Sequence, residues 1–458
     1  MKTFRVNLIF ITIVIVGFLF RYLNNFDQIF WNDENYTLFI TDPKITFKEF
    51  LNRHSSIDEN PKLYFYILRI FNYMSYSAEN LRLSSIIFST LTIVISFNFF
   101  KIFFDKKDSL ICLALVSLNI FLIWQAKEAR IASSLVFLGL LNILIFHKFL
   151  SKEKFKYKLS LFLINLFSLS YYPFLLMIIL AQFFYILLNN RKKFKSYFFI
   201  LVFSLIFYIL FNLDYILLKT SKPSHHFPIE ASFFINYFFR SFFGSIFFGG
   251  ISLIIFALSF LTILRKNKSN FMMFNIYLIL ISYFFAISYS LLKGGGVIAP
   301  RYYIFLIPSI ISIIFNLLEK KSFKYLYLIL TLVNSLIIFD NWKIQKPRIS
   351  YLMNNLDRNI TKYYFTDEGG HNGYDNVYDY FFKNSTRIKK HLNYIDIKNL
   401  NNYEKFYFIC FNHAEMHVGL DRTIQNDKKC HRKIDNFDII FEKEIKDFRI
   451  ILFQKKNI

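Results

Sequence analysis

The sequence predicts a polytopic α-helical membrane protein of about eleven transmembrane helices. A long first outer loop carries interfacial helices, and a small extracytoplasmic α/β domain closes the C-terminus. Three observations predict this. Of 458 residues, 55% are hydrophobic and only 19% charged, and mean hydropathy is +0.37; a soluble domain is more charged and less apolar. The apolar residues come in runs near twenty long, the length that crosses about 30 Å of hydrocarbon. The Lys and Arg residues behind the net charge of +24 cluster in alternate gaps between those runs, as the positive-inside rule requires.

The spans fall near 4–23, 83–103, 109–125, 131–149, 158–171, 173–189, 197–217, 243–264, 271–292, 302–318 and 325–341. Lys2 and Arg5 precede the first run, and Phe20-Arg21-Tyr22-Leu23 follows it where a cleavable leader has small residues, so the run reads as an uncleaved signal anchor. Ser170-Tyr171-Tyr172-Pro173 separates the fifth and sixth spans, because Pro173 disfavours helix at Tyr172. One set of gaps carries Lys106 and Lys107, then Lys152 to Lys158, Arg191 to Lys195, Arg265 to Lys268, and Lys320 to Lys324. The other set's short loops are poorer, carrying Lys127 and Arg130, Lys219 and Lys222, then Lys293 and Arg301. The N-terminus is therefore expected in the cytoplasm and the tail outside, giving a membrane domain of 1–341 and a C-terminal domain of 342–458.

The first outer loop, about 24–82, is long enough to carry function. Apolar residues at Leu38, Phe39, Ile40, Phe47, Phe50 and Leu51 recur near helical spacing, which suits helices lying on the membrane surface. In the tail, Phe406 to Phe411, Asp438 to Phe441 and Phe448 to Phe453 read as strands. Cys410 and Cys430 are either a disulfide outside the cytoplasm or two thiols, and Cys112 lies in a span. No cysteine spacing suits a metal. The 62 Phe and 30 Tyr read as codon bias of an AT-rich genome rather than a binding surface. No basic face or known motif supports nucleic-acid binding.

Five outer-side motifs carry candidate chemistry. Asp33-Glu34 follows the first span; carboxylates at a membrane surface are costly unless solvated, paired or used. The plain reading is a first-turn charge on a helix beginning near Asn35, contributing about 0.5–1 kcal/mol. Asp58-Glu59-Asn60-Pro61-Lys62 reads as a helix start with Asn60 at the N-cap, an anion-favouring geometry. Arg82-Leu83-Ser84-Ser85 opens the second span. Gln125-Ala126-Lys127-Glu128-Ala129-Arg130 places cations against the orientation rule, so an acidic partner or a substrate phosphate is expected to hold them. Gly294 to Gly296 precede Pro300-Arg301-Tyr302; no Gly-Lys-Ser/Thr follows, so they form no P-loop, and they read as a mobile flap. Arg301 can grip phosphate with two donors. His225-His226 and His54 lack an acidic partner at ligand spacing, and metal dependence stays open.

Together these pieces resemble the GT-C superfamily of membrane glycosyltransferases, near the bacterial relatives of protein O-mannosyltransferases and of the lipid A aminoarabinose transferase. The resemblance rests on Asp33-Glu34 with Tyr36-Thr37, Asp58 with Asn60-Pro61 and Leu63-Tyr64, Arg82-Leu83 with Ser85, Gln125 with Glu128-Ala129-Arg130, and Arg301-Tyr302 with Pro308. Order and sidedness match over about residues 1–320. Lys62 stands where a second proline is usual, and Ile131, Ala132 and Ser133 follow Arg130 where some relatives carry an aspartate.

The resemblance implies transfer from a polyprenyl-phosphate sugar to an acceptor hydroxyl or amine at the outer face of a bacterial inner membrane, with inversion. Asp33 is the implied base, with Glu34 and Glu59 in support. Arg301, Arg130 and Lys62 are implied for phosphate, and Tyr302, Asn60 and Glu128 for substrate binding. The partners implied are the lipid-linked sugar, membrane lipid and a glycan, lipid or protein acceptor. The alternative is a transporter or flippase of lipid-linked sugars, which shares the spans; against it, the sequence shows no internal repeat and no charged residue near the centre of most spans.

Overall fold

The computed structural model describes residues 2–23, 32–57, 60–152, 154–221, 240–266, 271–293, 300–341, 361–366, 404–411, 436–445 and 448–456. Along the chain run α1 (Lys2–Tyr22), α2 (Asn32–Ile40), α3 (Phe47–Ile57), α4 (Lys62–Met74), α5 (Ala78–Phe100), α6 (Lys106–Leu118), α7 (Ile120–Ala126) and α8 (Ala132–Ser151). There follow α9 (Phe155–Tyr171), α10 (Leu176–Asn189), α11 (Phe194–Ser221), α12 (Arg240–Phe243), α13 (Ile246–Lys266), α14 (Met272–Lys293), α15 (Ile307–Leu317) and α16 (Lys321–Asn341). Four strands close the chain: β1 (Thr361–Thr366), β2 (Lys405–Phe411), β3 (Phe437–Ile445) and β4 (Phe448–Lys455). Two compact units form, one of Met1–Phe26, Thr41–Thr46 and Glu59–Asn341, the other of Asp27–Ile40, Phe47–Asp58 and Trp342–Ile458.

The first unit is a multi-pass helical bundle. Six helices are long and apolar enough to cross a membrane, or seven if α6 and α7 count as one bent span. Shorter apolar helices cover Val6–Tyr22, Pro173–Asn189 and Ile304–Leu317. Helix occupies each of the eleven expected segments. Large apolar side chains such as Leu210, Phe211 and Phe284 are exposed, a surface suited to lipid.

The third expected span is broken. Asn119 adopts extended backbone between α6 and α7, and its side chain accepts the Leu122 amide as the cap of α7. The two helices bend by 53°. The break frees carbonyls at the end of α6, and side chains collect them. Arg21, fully buried, donates to the carbonyls of Ser117 at 2.8 Å and Val116 at 3.4 Å and to Ser89 Oγ at 2.7 Å. Ser335 Oγ donates to the Leu118 carbonyl at 2.6 Å. A charged group inside a bundle needs such partners. Gly17 lets α1 approach this joint: a Cβ there would lie 2.2 Å from Ser117 Oγ and 2.6 Å from Ile93 Cδ1.

Polar side chains tie the other helices together. Asn142 of α8 donates to Asn165 of α9 and accepts from Gln182 of α10, which accepts from Tyr197 of α11. Asn275 of α14 bonds Ser309 and Ser312 of α15. Where lipid and protein interior are equally apolar, such bonds contribute about 0.6 kcal/mol each, up to about 1.7. At the basic end, Lys324 donates to Asp108 at 2.5 Å, and Lys193 donates to the Phe149 and Leu150 carbonyls.

The second unit holds α2, α3 and a four-stranded sheet of order β1-β2-β4-β3. β1 and β2 run parallel, while β2–β4 and β3–β4 are antiparallel, with an irregularity between Ile439 and Phe441. The three expected strands fall on β2, β3 and β4. β1, read as no element, carries the Tyr-Tyr-Phe signal of a strand. Phe406 stacks on Phe453 and meets Phe437 edge-on, making the sheet's small apolar core. Helices of the expected α/β tail, and any pairing of Cys430, lie outside the described residues.

Candidate functional site

The loop between α7 and α8 joins two of the motifs. Residues 127–131 turn the chain after α7. Ser133 Oγ, in the first turn of α8, donates back to the Gln125 carbonyl at 2.9 Å, and Ser134 Oγ donates to Ile131 at 2.6 Å. Ser85 Oγ, in α5, reaches the Arg130 carbonyl at 3.5 Å. The Arg82–Ser85 motif and the Gln125–Arg130 motif thus meet. Glu128 is buried and Arg130 half-buried.

Lys127, one of the cations of this loop, reaches the end of α1. Its ammonium donates to the Leu23 carbonyl at 2.7 Å, just past the end of α1, and lies 4.2 Å from the Phe339 ring. A cation at a helix C-terminus is favourable, so Lys127 has a structural job despite sitting on the side poor in cations.

Aromatic rings lead from this loop toward the segments that carry Lys62 and Arg301. Tyr171, ending α9, donates its hydroxyl to Ser134 Oγ at 2.6 Å. Tyr64, in the first turn of α4 two residues after Lys62, meets the Tyr171 ring edge-on at 5.8 Å. Tyr172 is extended before Pro173, as the proline rule predicts. Its ring lies 5.9 Å from Tyr302, which stacks on Phe174 at 5.3 Å. Arg301 lies 5.4 Å from the Tyr302 ring. Lys62 and Arg130 each lie within a few residues of the first set of side chains (Ser134, Tyr171 and Tyr64), and Arg301 adjoins the second (Tyr172, Phe174 and Tyr302), the two sets being consecutive in the chain at Tyr171-Tyr172. All three cations are half-buried.

Two helix starts differ from expectation. α2 begins at Asn32, not near Asn35, so Asp33 and Glu34 both lie in its first turn, where a carboxylate offsets free amides. Glu34 is fully buried, while the Asp33 side chain lies outside the described residues. α4 begins at Lys62 with Pro61 at the N-cap and no side-chain cap; Asn60, expected as the cap, sits one residue outside and half-buried. Glu59, Asp58, Gly294 to Gly296 and His225-His226 lie outside the described residues. His54 is buried in α3, and no group of three metal-ligating side chains gathers among the described residues.

Sequence reasoning passed over Phe174 and Tyr172 by assigning the aromatics to codon bias. The available signal was local: rings flank Pro173 on the same side as the motifs.

The fold and this cluster define a class. The chain resembles the family described as dolichyl-phosphate-mannose-protein mannosyltransferase over residues 59–214, within the GT-C superfamily of membrane glycosyltransferases. Its fold is similar to that of ArnT from Cupriavidus metallidurans solved bound to undecaprenyl phosphate, with a TM-score of 0.58, 9% identity, and coverage of 99% of this chain and 98% of that one. The apo structure of the same ArnT gives a TM-score of 0.56 at 9% identity, covering 98% of each chain. No curated protein matches the chain by sequence.

Proposed function

We propose that the chain transfers a sugar from a polyprenyl-phosphate donor to an acceptor hydroxyl or amine at the outer face of a bacterial cell membrane, with inversion. The observation that best supports this reading is that Lys62, Arg130 and Arg301 each stand within a few residues of the contacts among Ser134, Tyr171 and Tyr64 or among Tyr172, Phe174 and Tyr302. Lys62 opens α4, the end where a helix dipole disfavours a cation. Free amides and a cation at one helix start both favour an anion. The fold shared with ArnT, solved with undecaprenyl phosphate, supports a polyprenyl phosphate as that anion's source.

In the proposed reaction the acceptor oxygen or nitrogen attacks the anomeric carbon, and the bond from that carbon to the phosphate oxygen breaks. Asp33 takes the acceptor proton. Arg301, Arg130 and Lys62 stabilise the charge that grows on the departing polyprenyl phosphate. Glu34 and Glu59 support the acceptor side, and Glu128, Asn60 and Tyr302 position the donor. All eleven helical segments cross the membrane in this reading, with the N-terminus cytoplasmic and the tail outside.

Asp33→Asn is nearly isosteric and removes the base. The purified parent releases polyprenyl phosphate from a labelled lipid-linked sugar, and the variant releases it at least about 10²-fold more slowly. Equal turnover in the two overturns the role of Asp33. Movement of the lipid-linked sugar across a vesicle membrane without release overturns the transferase reading in favour of a flippase.

A further inference from the structure

At the opposite end of α9 from Tyr171, an apolar groove opens between α9 and α11. Its volume is about 360 Å³. One wall is Phe155, Lys158 and Phe162; the other runs from Ser196 through Phe203 to Phe207. The spacing puts each set on one helix face. Phe155 and Phe203 are exposed, and Phe162 meets Phe207 edge-on at 5.9 Å. From Ser196 to Phe207 the helix rises about 16 Å, close to the roughly 15 Å depth of one leaflet's hydrocarbon.

The mouth of this groove is cationic. Lys158 lines it, and Lys154, Lys156, Lys192 and Lys195 lie on the two segments that begin its walls. Glu153 is the sole acidic residue in 152–158 and 191–195. Both helices begin at this end, and α9 starts after Lys154 with no side-chain cap, so the helix dipoles add positive potential. Lys193 is already used on the carbonyls ending α8, and Arg191 on the Leu187 carbonyl.

We infer that this groove is a binding site for one anionic phospholipid, its acyl chain between α9 and α11 and its phosphate at the Lys158 mouth. A leaflet-deep apolar slot under a cluster of lysines complements an anionic headgroup on a single chain's length of hydrocarbon. The site is independent of the proposed transferase chemistry, which uses the other end of α9.

The test uses the full-length protein in detergent, with native mass spectrometry reading retention of added dioleoyl phosphatidylglycerol or dioleoyl phosphatidylcholine. The parent retains the anionic lipid preferentially. Lys158→Gln weakens that retention about fivefold, and Lys158→Arg preserves it. Ser196→Trp fills the mouth and lowers retention of the anionic lipid, with unchanged circular dichroism. Equal retention of the two lipids by the parent overturns the inference, as does unaltered retention in Lys158→Gln. A Lys158→Gln loss confined to added undecaprenyl phosphate also overturns it. Should Ser196→Trp fail to fold, the Lys158 pair decides alone.

Discussion

Residues of one type divide by what their partners are. Lys127 and Arg130 stand three apart on the side of the bundle poor in cations, yet the Lys127 ammonium is held by the Leu23 carbonyl and the Phe339 ring, while Arg130 meets the cluster through its backbone. Substitution separates them. Lys127→Met leaves a carbonyl past α1 without its donor, so it lowers the melting temperature with a cost of about 1–3 kcal/mol and leaves the folded protein's turnover near the parent's. Arg301→Gln and Arg130→Gln lower the folded protein's rate of polyprenyl phosphate release by about 10²-fold. Arg301→Lys recovers only part of that rate, because an ammonium lacks the planar fork. Thermal unfolding followed by fluorescence, beside a release assay, reads both effects.

Elements meet closely only where the side chains permit. α1 reaches the α6–α7 joint because Gly17 has no Cβ and because Arg21 collects the carbonyls that the break at Asn119 frees. Gly17→Leu pushes α1 off Ser117 and Ile93, at a cost of about 1–3 kcal/mol or more, seen as a fall in melting temperature. Asn142→Leu removes the hub of the α8–α9–α10 network and strands Gln182, whose amide donates to Asn142. It lowers stability by about 1–3 kcal/mol, and Gln182→Leu added to it costs less than the sum of the two single changes. The helices themselves were legible, since apolar runs bounded by Asn-, Asp- or Pro-containing turns leave few alternatives. Their breaks were less so. Asn119 inside an apolar run reads as continuous helix, and its extended backbone depends on partners far along the chain, among them the Phe242 carbonyl. The starts of α2 and α4 were misjudged by one to three residues, as helix ends usually are.

The whole molecule poses one question of sidedness. The cation pattern predicts that the Arg191–Lys195 turn faces the cytoplasm and the 24–82 loop faces outward. In a background with Cys112, Cys410 and Cys430 replaced, Lys44→Cys is labelled by a membrane-impermeant thiol reagent on intact spheroplasts, and Lys192→Cys is labelled only after lysis; both parent side chains are exposed. The reverse pattern overturns the orientation and with it an outer-face reaction.

Sequence alone determined that this chain is a membrane bundle and where its helices run, because hydrocarbon thickness and unsatisfied backbone impose one simple rule on any spanning segment. It also singled out the Gln125–Arg130 and Arg301–Tyr302 motifs, since cations on the side poor in them break that rule visibly. Only the tertiary structure decided which of these side chains stand together. Tyr171 joins Ser134 across 37 positions and Tyr302 meets Tyr172 across the later spans; Lys127 turns inward to the end of α1. Such pairings arise from packing between distant helices, and no local spacing encodes them.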